Sequence, residues 1–461
     1  MRTRKRLKMF RLNNSSRTQP MPTDIPGLVG WWKQGDWTSA SARVSQWNDS
    51  SGNARHLLQA TGANQPIELP WTGTSYAWFP GAGSGSNWIT APDAAQYNLG
   101  QQFDIIFRAQ IAWSQNSANQ FLIAHSQGAP NAGWAVRLAG AGTPNFAYSP
   151  DGTATNSVAS SAVSPFSDPT TGWMRIKGDL AAGKINFYTA TDQAAVPSSW
   201  TQLGSADRAI TTGSIYGAAT LLSIGTNGTP GGNVLTGSSK WYRVQVWNGF
   251  YDAGGTKVFD LDLTAQTEGS LSFSETSSYA ATTTIQAQNA KQTQIVGSPQ
   301  IVGDGAAYFM RASYTQAQPC TRYFLARFPL WTSGRYMTDG AAAANTAAMT
   351  ATTSTPSRSM NAGSSANETT AAALLATHVV AMVWDGASSK FVVDATTVSG
   401  GDPGAATTGG LTILADGAAV PSLFAGGQFK EIIEYDRAHS ASEITTILRY
   451  LNRIGNLGLA L

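Results

Sequence analysis

The sequence predicts an all-β protein built as two sandwiches, and three observations carry that expectation. Short runs alternating between apolar and polar residues recur between Gly, Pro, Asn and Asp, as at residues 103–111, 134–138, 173–177 and 184–188. Charged residues make up only 12% of the chain while Gly reaches 47, so the long charged helices of bundles and doubly wound α/β folds are scarce. At 461 residues and 42% hydrophobic, the chain is too long for one ordinary domain and has ample material to bury.

Residues 1–24 form a separate electrostatic object, a basic arm. Arg2, Arg4, Lys5, Arg6, Lys8, Arg11 and Arg17 supply seven of the 30 basic residues within the first 23 positions and no acid precedes Asp24, which leaves 23 basic against 27 acidic residues from position 24 onward. With few apolar anchors beyond Met9, Phe10 and Leu12, the arm is expected to order only on a partner. A net negative body without a nucleic-acid module argues against DNA or RNA as that partner. Docking onto a protein assembly is the expectation, with Arg2, Arg4, Lys5, Arg6, Lys8 and Arg11 as the anchoring residues.

The first sandwich is expected over residues 25–265. It opens with Gly27-Leu28-Val29-Gly30-Trp31-Trp32, followed by Trp47-Asn48-Asp49-Ser50-Ser51-Gly52-Asn53 and His56-Leu57-Leu58-Gln59. It closes with residues 240–248, where Trp241, Arg243, Gln245 and Trp247 should share one face and Tyr242, Val244 and Val246 the other. Large apolar groups on both faces make that strand central or covered by a loop.

The second sandwich, residues 266–461, repeats this ending. A strand–turn–strand at 378–394 parallels 173–188, and 430–437 parallels 240–248, with 56 positions from Lys184 to Lys240 and 40 from Lys390 to Lys430. Such weak duplication reads as two tandem units. The Ala-, Thr- and Ser-rich residues 341–370 are expected to be long loops, and no second opening motif is visible near Ser277-Ser278-Tyr279-Ala280. At the C-terminal end Ser440 and Glu443 spell a capping box, and Ile444, Ile447, Leu448 and Leu451 form one apolar stripe of a short helix.

The opening stretch resembles that of concanavalin A-like, or laminin-G-like, jelly-roll domains. Residues 431–452 are similar to the terminal strand and short helix of such domains in phage virion proteins and bacterial surface proteins. The resemblance implies two tandem concanavalin A-like jelly rolls with an extended N-terminal arm. It leaves function open, because such sandwiches serve as lectins, glycosidase scaffolds and surface modules.

Chemistry is thinly represented. Glucanases on this fold use Glu-x-Asp-x-x-Glu; the nearest string, Glu431-Ile432-Ile433-Glu434-Tyr435-Asp436, puts Glu431 and Glu434 on opposite faces of a regular strand, where they cannot flank one glycosidic bond. The four histidines, His56, His125, His378 and His439, lack paired ligand spacing. No catalytic residues are assigned, and a non-enzymatic protein is expected. Asp49 and Asn53 are two oxygen donors that Ca²⁺ could use, a fraction of the roughly 6–8 that the ion takes, and they equally suit a turn. Trp71, Trp78, Trp88 and Trp113 are candidate platforms for sugar rings.

Cys320 is the only cysteine, so intrachain disulfides are excluded. No apolar run approaches the roughly 18 residues of a membrane span, and no secretory hydrophobic region follows the basic start. The expectation is a virion structural protein assembled in a host cytoplasm, as a homo-oligomer within a larger assembly. A phage tail, fibre or baseplate component touching host glycans comes first. A capsid decoration protein is the alternative within that class; a carbohydrate-active enzyme and a cellular carbohydrate-binding protein are the alternatives outside it.

Overall fold

The computed structural model describes residues 20–461 apart from 72, 82–86, 115–119, 212, 229–234, 236–237, 288–292, 329–331, 342, 345, 352–356, 369–375 and 407–408. The arm residues Arg2, Arg4, Lys5, Arg6, Lys8, Arg11 and Arg17 lie outside the described residues. The rest is all-β, made of stacked antiparallel sheets with one α-helix, Ala441–Gly455.

Strand Leu28–Ala40 determines how the chain is partitioned. Its first half pairs with strand Gln428–Tyr435, Leu28 opposite Tyr435 and Trp32 opposite Ile432. After a register shift its second half pairs with strand Arg43–Asp49, Trp37 opposite Trp47. Trp32, Val44, Trp47 and Leu57 consequently share a core with Phe324, Met382, Trp384, Phe391, Ile413 and Phe429. The opening motif therefore completes the C-terminal sandwich, whose strands form one continuous 16-stranded sheet.

Residues 76–296 make the other sandwich, a nine-stranded sheet facing an eight-stranded one across a core that includes Ile105, Phe107, Leu122, Trp134, Val136, Phe146, Ile176, Phe187 and Trp241. This corrects the tandem boundaries 25–265 and 266–461, because one unit is inserted within the other. The opening motif missing near Ser277 is missing because the C-terminal sandwich takes its opening from residues 28–58.

The chain crosses between the units twice, and the crossings run side by side. Strand Ile67–Leu69 pairs with Gln300–Val302 in one unit, and Tyr76–Phe79 pairs with Gln294–Val296 in the other. Leu69, Tyr76, Trp78, Tyr242, Val296 and Val302 pack over this ribbon. Beside it, Lys430 Nζ meets Glu268 Oε1 at 2.8 Å with both side chains largely out of water. Burial pushes the Lys430 ammonium below its ordinary value, and Glu268 opposes that shift.

Two local expectations also change. Strand Ser239–Asn248 is central, but a register shift between Trp241 and Arg243 puts Trp241 in the core with Val244 and Val246, leaving Arg243, Gln245 and Trp247 on the other face. Within 341–370 the structure has strands Ala348–Ala351, Arg358–Asn361 and Ser365–Asn367. Small Ala, Ser and Thr side chains let these strands pack closely, and Met349 and Met360 supply the core contacts.

The helix follows its sequence signals. Ser440 Oγ accepts from Glu443 N, and the Glu443 carboxylate accepts from Ser440 N at 2.8 Å. Ile444, Ile447, Leu448 and Leu451 cover Tyr323, Leu325, Val379, Ala381 and Ile433 on the outer face of the sheet. His439 precedes the cap, buried against Tyr435, with Nδ1 2.7 Å from the Tyr323 hydroxyl.

Two predictions follow from this packing. Because Tyr76 and Val296 are paired neighbours, a fragment spanning residues 76–296 is expected to fold alone, with a cooperative thermal transition by circular dichroism; a broad, non-cooperative melt would refute the boundaries. Burial holds His439 down to about 4, against 6.5 for a free imidazole. Between those values the unfolded chain binds more protons than the folded one, so stability falls as pH drops through that window. Urea titrations at pH 7 and 4.5 should show a smaller difference in midpoint for His439→Gln than for the natural chain.

Candidate functional site

The four candidate tryptophans part company. Trp78, Trp88 and Trp113 are 1%, 5% and 1% exposed. Trp78 Nε1 donates to Ser238 Oγ at 2.7 Å and Trp113 Nε1 to the Thr170 carbonyl at 2.8 Å. These three are core residues, which corrects their assignment as sugar platforms. Trp71, at 42% exposed, is the one that reaches solvent.

Asp49 and Asn53 are engaged in their turn. Asp49 Oδ1 accepts from the backbone of Trp31 and Ser51, and Oδ2 from Ser51 Oγ and Arg55 N. Asn53 Nδ2 donates to the carbonyls of Leu28 and Val29. Those bonds fasten the opening loop to the first strand, which is what the motif does here. Among the described residues no group of three or more His, Cys, Asp or Glu is placed to hold a metal ion.

Glu431 and Glu434 do point to opposite faces. Glu431 Oε1 accepts from Trp31 Nε1 and Tyr450 Oη, each at 2.7 Å, beneath the helix. Glu434, on the inner face, receives Arg322 Nη2 at 2.9 Å and the Tyr314 hydroxyl. Both carboxylates bind the fold together. His125 and His378 contact Asp93 and Asp394 at 3.3 and 2.9 Å, and His56 accepts from Asp49 N.

Ligand recognition is better sought on the outer faces of the inserted sandwich, and these differ sharply. On the nine-stranded sheet, Arg175 grips Asp104 through two bonds of 2.8 and 2.6 Å and reaches Asp252 at 3.1 Å. The rings of Tyr188, Trp200 and Tyr251 surround its guanidinium at 5.7–5.9 Å. Arg243 has Asp260 and Arg108 has Asp192. With every one of these guanidinium groups answered by a carboxylate, this face is electrostatically closed.

The eight-stranded sheet presents a hollow instead. Alternation along Trp134–Ala139 sends Trp134, Val136 and Leu138 into the core and Ala135 and Arg137 outward. Ala124, Ala135 and Ala147 stand opposite one another on adjacent strands, with Ser223 and Ser157 continuing the row. A register shift between Phe121 and Ile123 places Phe121 opposite Arg137, and Asn145 lies beyond it. The result is a floor of methyl groups beside a wall of Phe121 and Arg137, with Asn145 bonded to Arg137.

Ser126, Thr155 and Asn227 line the other side of a hollow of about 230 Å³. Gly133 forms part of its lining, and a Cβ there would sit 2.2 Å from the His125 carbonyl oxygen. Arg137 Nε donates to Asn145 Oδ1 at 2.7 Å, and its Cζ stands 6.0 Å from the centre of the Phe121 ring. Partial burial pushes this guanidinium below its ordinary value. A flat apolar floor, one aromatic edge, a cation and several amide and hydroxyl groups form the equipment for holding a small hydroxyl-rich ring.

Sequence reasoning missed Phe121, Arg137 and Asn145 as a group. It read 134–138 as one alternating strand among several and did not follow the outward half of the alternation. That half reads Ala-x-Arg on one strand and Asn-x-Ala on the next, small residues beside polar ones, which is the available signal.

No family model matches the sequence, and no curated protein matches it either. Among solved structures, a Bacteroides ovatus protein to which carbohydrate binding is ascribed is 13% identical over 50% of this chain, at a TM-score of 0.30; the chain spans 62% of that protein's length. A heptameric SAP-like pentraxin from Limulus polyphemus is 13% identical, covering 38% of this chain and 77% of its own, at 0.26. Domains LG4–5 of the mouse laminin α1 chain are 11% identical, covering 81% and 94%, at 0.25. Scores this low leave the description of the fold resting on the strand pairings themselves.

The tryptophan placements give a direct check. Trp113→Ala should cost about 3–5 kcal/mol of stability by urea unfolding, whereas Trp71→Ala should change it by less than about 0.5 kcal/mol.

Proposed function

We propose that this protein binds glycans without transforming them, and that the hollow between Phe121, Arg137 and Asn227 receives one sugar ring. The observation that carries this reading is the open, methyl-floored hollow on the eight-stranded sheet, set against a closed face on the nine-stranded one. Ring carbons would lie on Ala135 and Ala147 and against Phe121, while hydroxyl groups would meet Ser126, Thr155 and Asn227. Non-enzymatic action is supported by the placement of Glu431 and Glu434, each on its own side of a buried strand and engaged with core donors.

The proposed setting is a virion, with the protein in the tail, fibre or baseplate of a phage and its basic arm inserted in the particle. Two features support it: residues 431–452 resemble the terminal strand and short helix of concanavalin A-like domains in phage virion proteins, a resemblance shared with bacterial surface proteins, and the arm carries seven basic residues and no acid over its first 23 positions. Immunogold labelling of intact particles tests the setting, and label confined to the head would favour decoration of the capsid over adhesion.

The binding test is co-sedimentation of the protein with envelopes from a panel of bacteria, with and without competing sugars. Sugar-sensitive binding is expected for some envelopes, and Ala147→Leu, which fills the hollow, should abolish it at unchanged thermal midpoint. Binding that survives this substitution would place recognition elsewhere.

A further inference from the structure

The charge of the ligand is legible in the hollow, on the premise that the hollow is a sugar site. Arg137 is half-buried, and among the described residues its hydrogen bond goes from Nε to the neutral amide oxygen of Asn145. Among the described residues no carboxylate lies within ion-pair distance of it, whereas Arg108, Arg175 and Arg243 on the opposite sheet each have one. Taking a guanidinium partly out of water without an anion is unfavourable. Nothing in the strand requires it, since any outward polar residue would satisfy the alternation.

The remaining donors, Nη1 and Nη2, form one flat edge of the guanidinium. Two parallel N–H groups match the two oxygens of a carboxylate in geometry as well as in charge. The cation also stands over Phe121 beside a floor of alanine methyls, which confines a ligand to a single layer next to it. A hollow of about 230 Å³ is smaller than the roughly 300–1,000 Å³ of drug-sized sites, which fits one substituted ring at the end of a glycan.

We propose that the hollow selects a terminal sugar bearing a carboxylate, with the Nη1 and Nη2 edge of Arg137 as the specificity-determining contact and Phe121 packing on the ring. Asn145 acts as a positioning residue, holding Nε so that this edge faces the hollow. The inference deepens the glycan-binding proposal and depends on it.

The test is titration calorimetry on the full chain with matched oligosaccharides that end either in a uronic acid or in the corresponding neutral hexose. The acidic ligand should bind at least tenfold more tightly at low salt. Arg137→Gln should weaken acidic binding roughly ten- to hundredfold, the range for a charge-assisted pair, and leave the neutral ligand nearly unchanged. Arg137→Lys, which keeps the charge and loses the fork, should fall between them. It also serves as the readout if the glutamine variant unfolds.

Equal binding of both ligands, lost together in Ala147→Leu, would overturn the acidic preference and leave the glycan site standing. Acidic preference that persists in Arg137→Gln would overturn the role of Arg137. Failure of both ligands to bind would overturn this proposal and the reading of the hollow as a sugar site together, and a neutral ligand that binds more tightly than the acidic one would overturn the acidic preference alone.

Discussion

The pairing of Leu28–Ala40 with Gln428–Tyr435 is the constraint on which the rest of the molecule depends. It brings the two ends of the described chain into one sheet, so that all the residues between must leave and return. Strand Gln428–Tyr435 is buried along its whole length although it carries Lys430, Glu431 and Glu434. Each charge has its own answer: Glu268 for Lys430, Trp31 and Tyr450 for Glu431, Arg322 and Tyr314 for Glu434. These five contacts tie the strand to the inserted unit, to the first strand and helix, and to the core, so one element organises the whole. Arg322 and Glu434 are both fully buried, and removing either partner of such a pair leaves a charge whose uncompensated burial costs about 3–5 kcal/mol.

The insertion has a mechanical consequence. Two antiparallel crossings with matched pairing on both sides resist bending better than the single flexible linker of a tandem arrangement. The inserted sandwich is held at the ribbon by Trp78, Tyr76 and Tyr242 and beside it by the Lys430–Glu268 pair. One sandwich thus serves as a mount that contains both ends of the described residues, and the other is presented from it with one closed face and one open face.

Much of this was written in the sequence, but unevenly. The capping box at Ser440 and Glu443, the apolar stripe of the helix and the opposed glutamates are local patterns of period 3.6 or 2, and each was legible because its partners lie within a few residues. The partition was not, since it depends on Trp32 meeting Ile432 across 400 positions, and no local pattern records which of two similar sandwiches an opening motif completes. Residues 341–370 misled through composition: Ala, Ser and Thr look like loop when Met349 and Met360 are read singly. The face of Trp241 turned on one bulge. Burial of the tryptophans was undecidable in advance, because Trp71 and Trp78 differ in the packing around them and not in their local sequence.

The size of the hollow bears on how such a protein would act. A sugar ring with about a dozen non-hydrogen atoms, at roughly 0.3 kcal/mol per atom, gains on the order of 4 kcal/mol, a Kd near 1 mM. The charge-assisted pair proposed for Arg137 would tighten that roughly ten- to hundredfold, to a Kd of about 10–100 μM. Single copies would come off a surface almost at once, so adhesion through this hollow requires many copies displayed together, where each further contact forms at the high effective concentration set by the first. Under that requirement the arm and the hollow have complementary parts in the proposed function. In that proposal the seven cations of the arm would fasten a copy to a shared particle, and the particle would supply the multiplicity that the shallow site lacks.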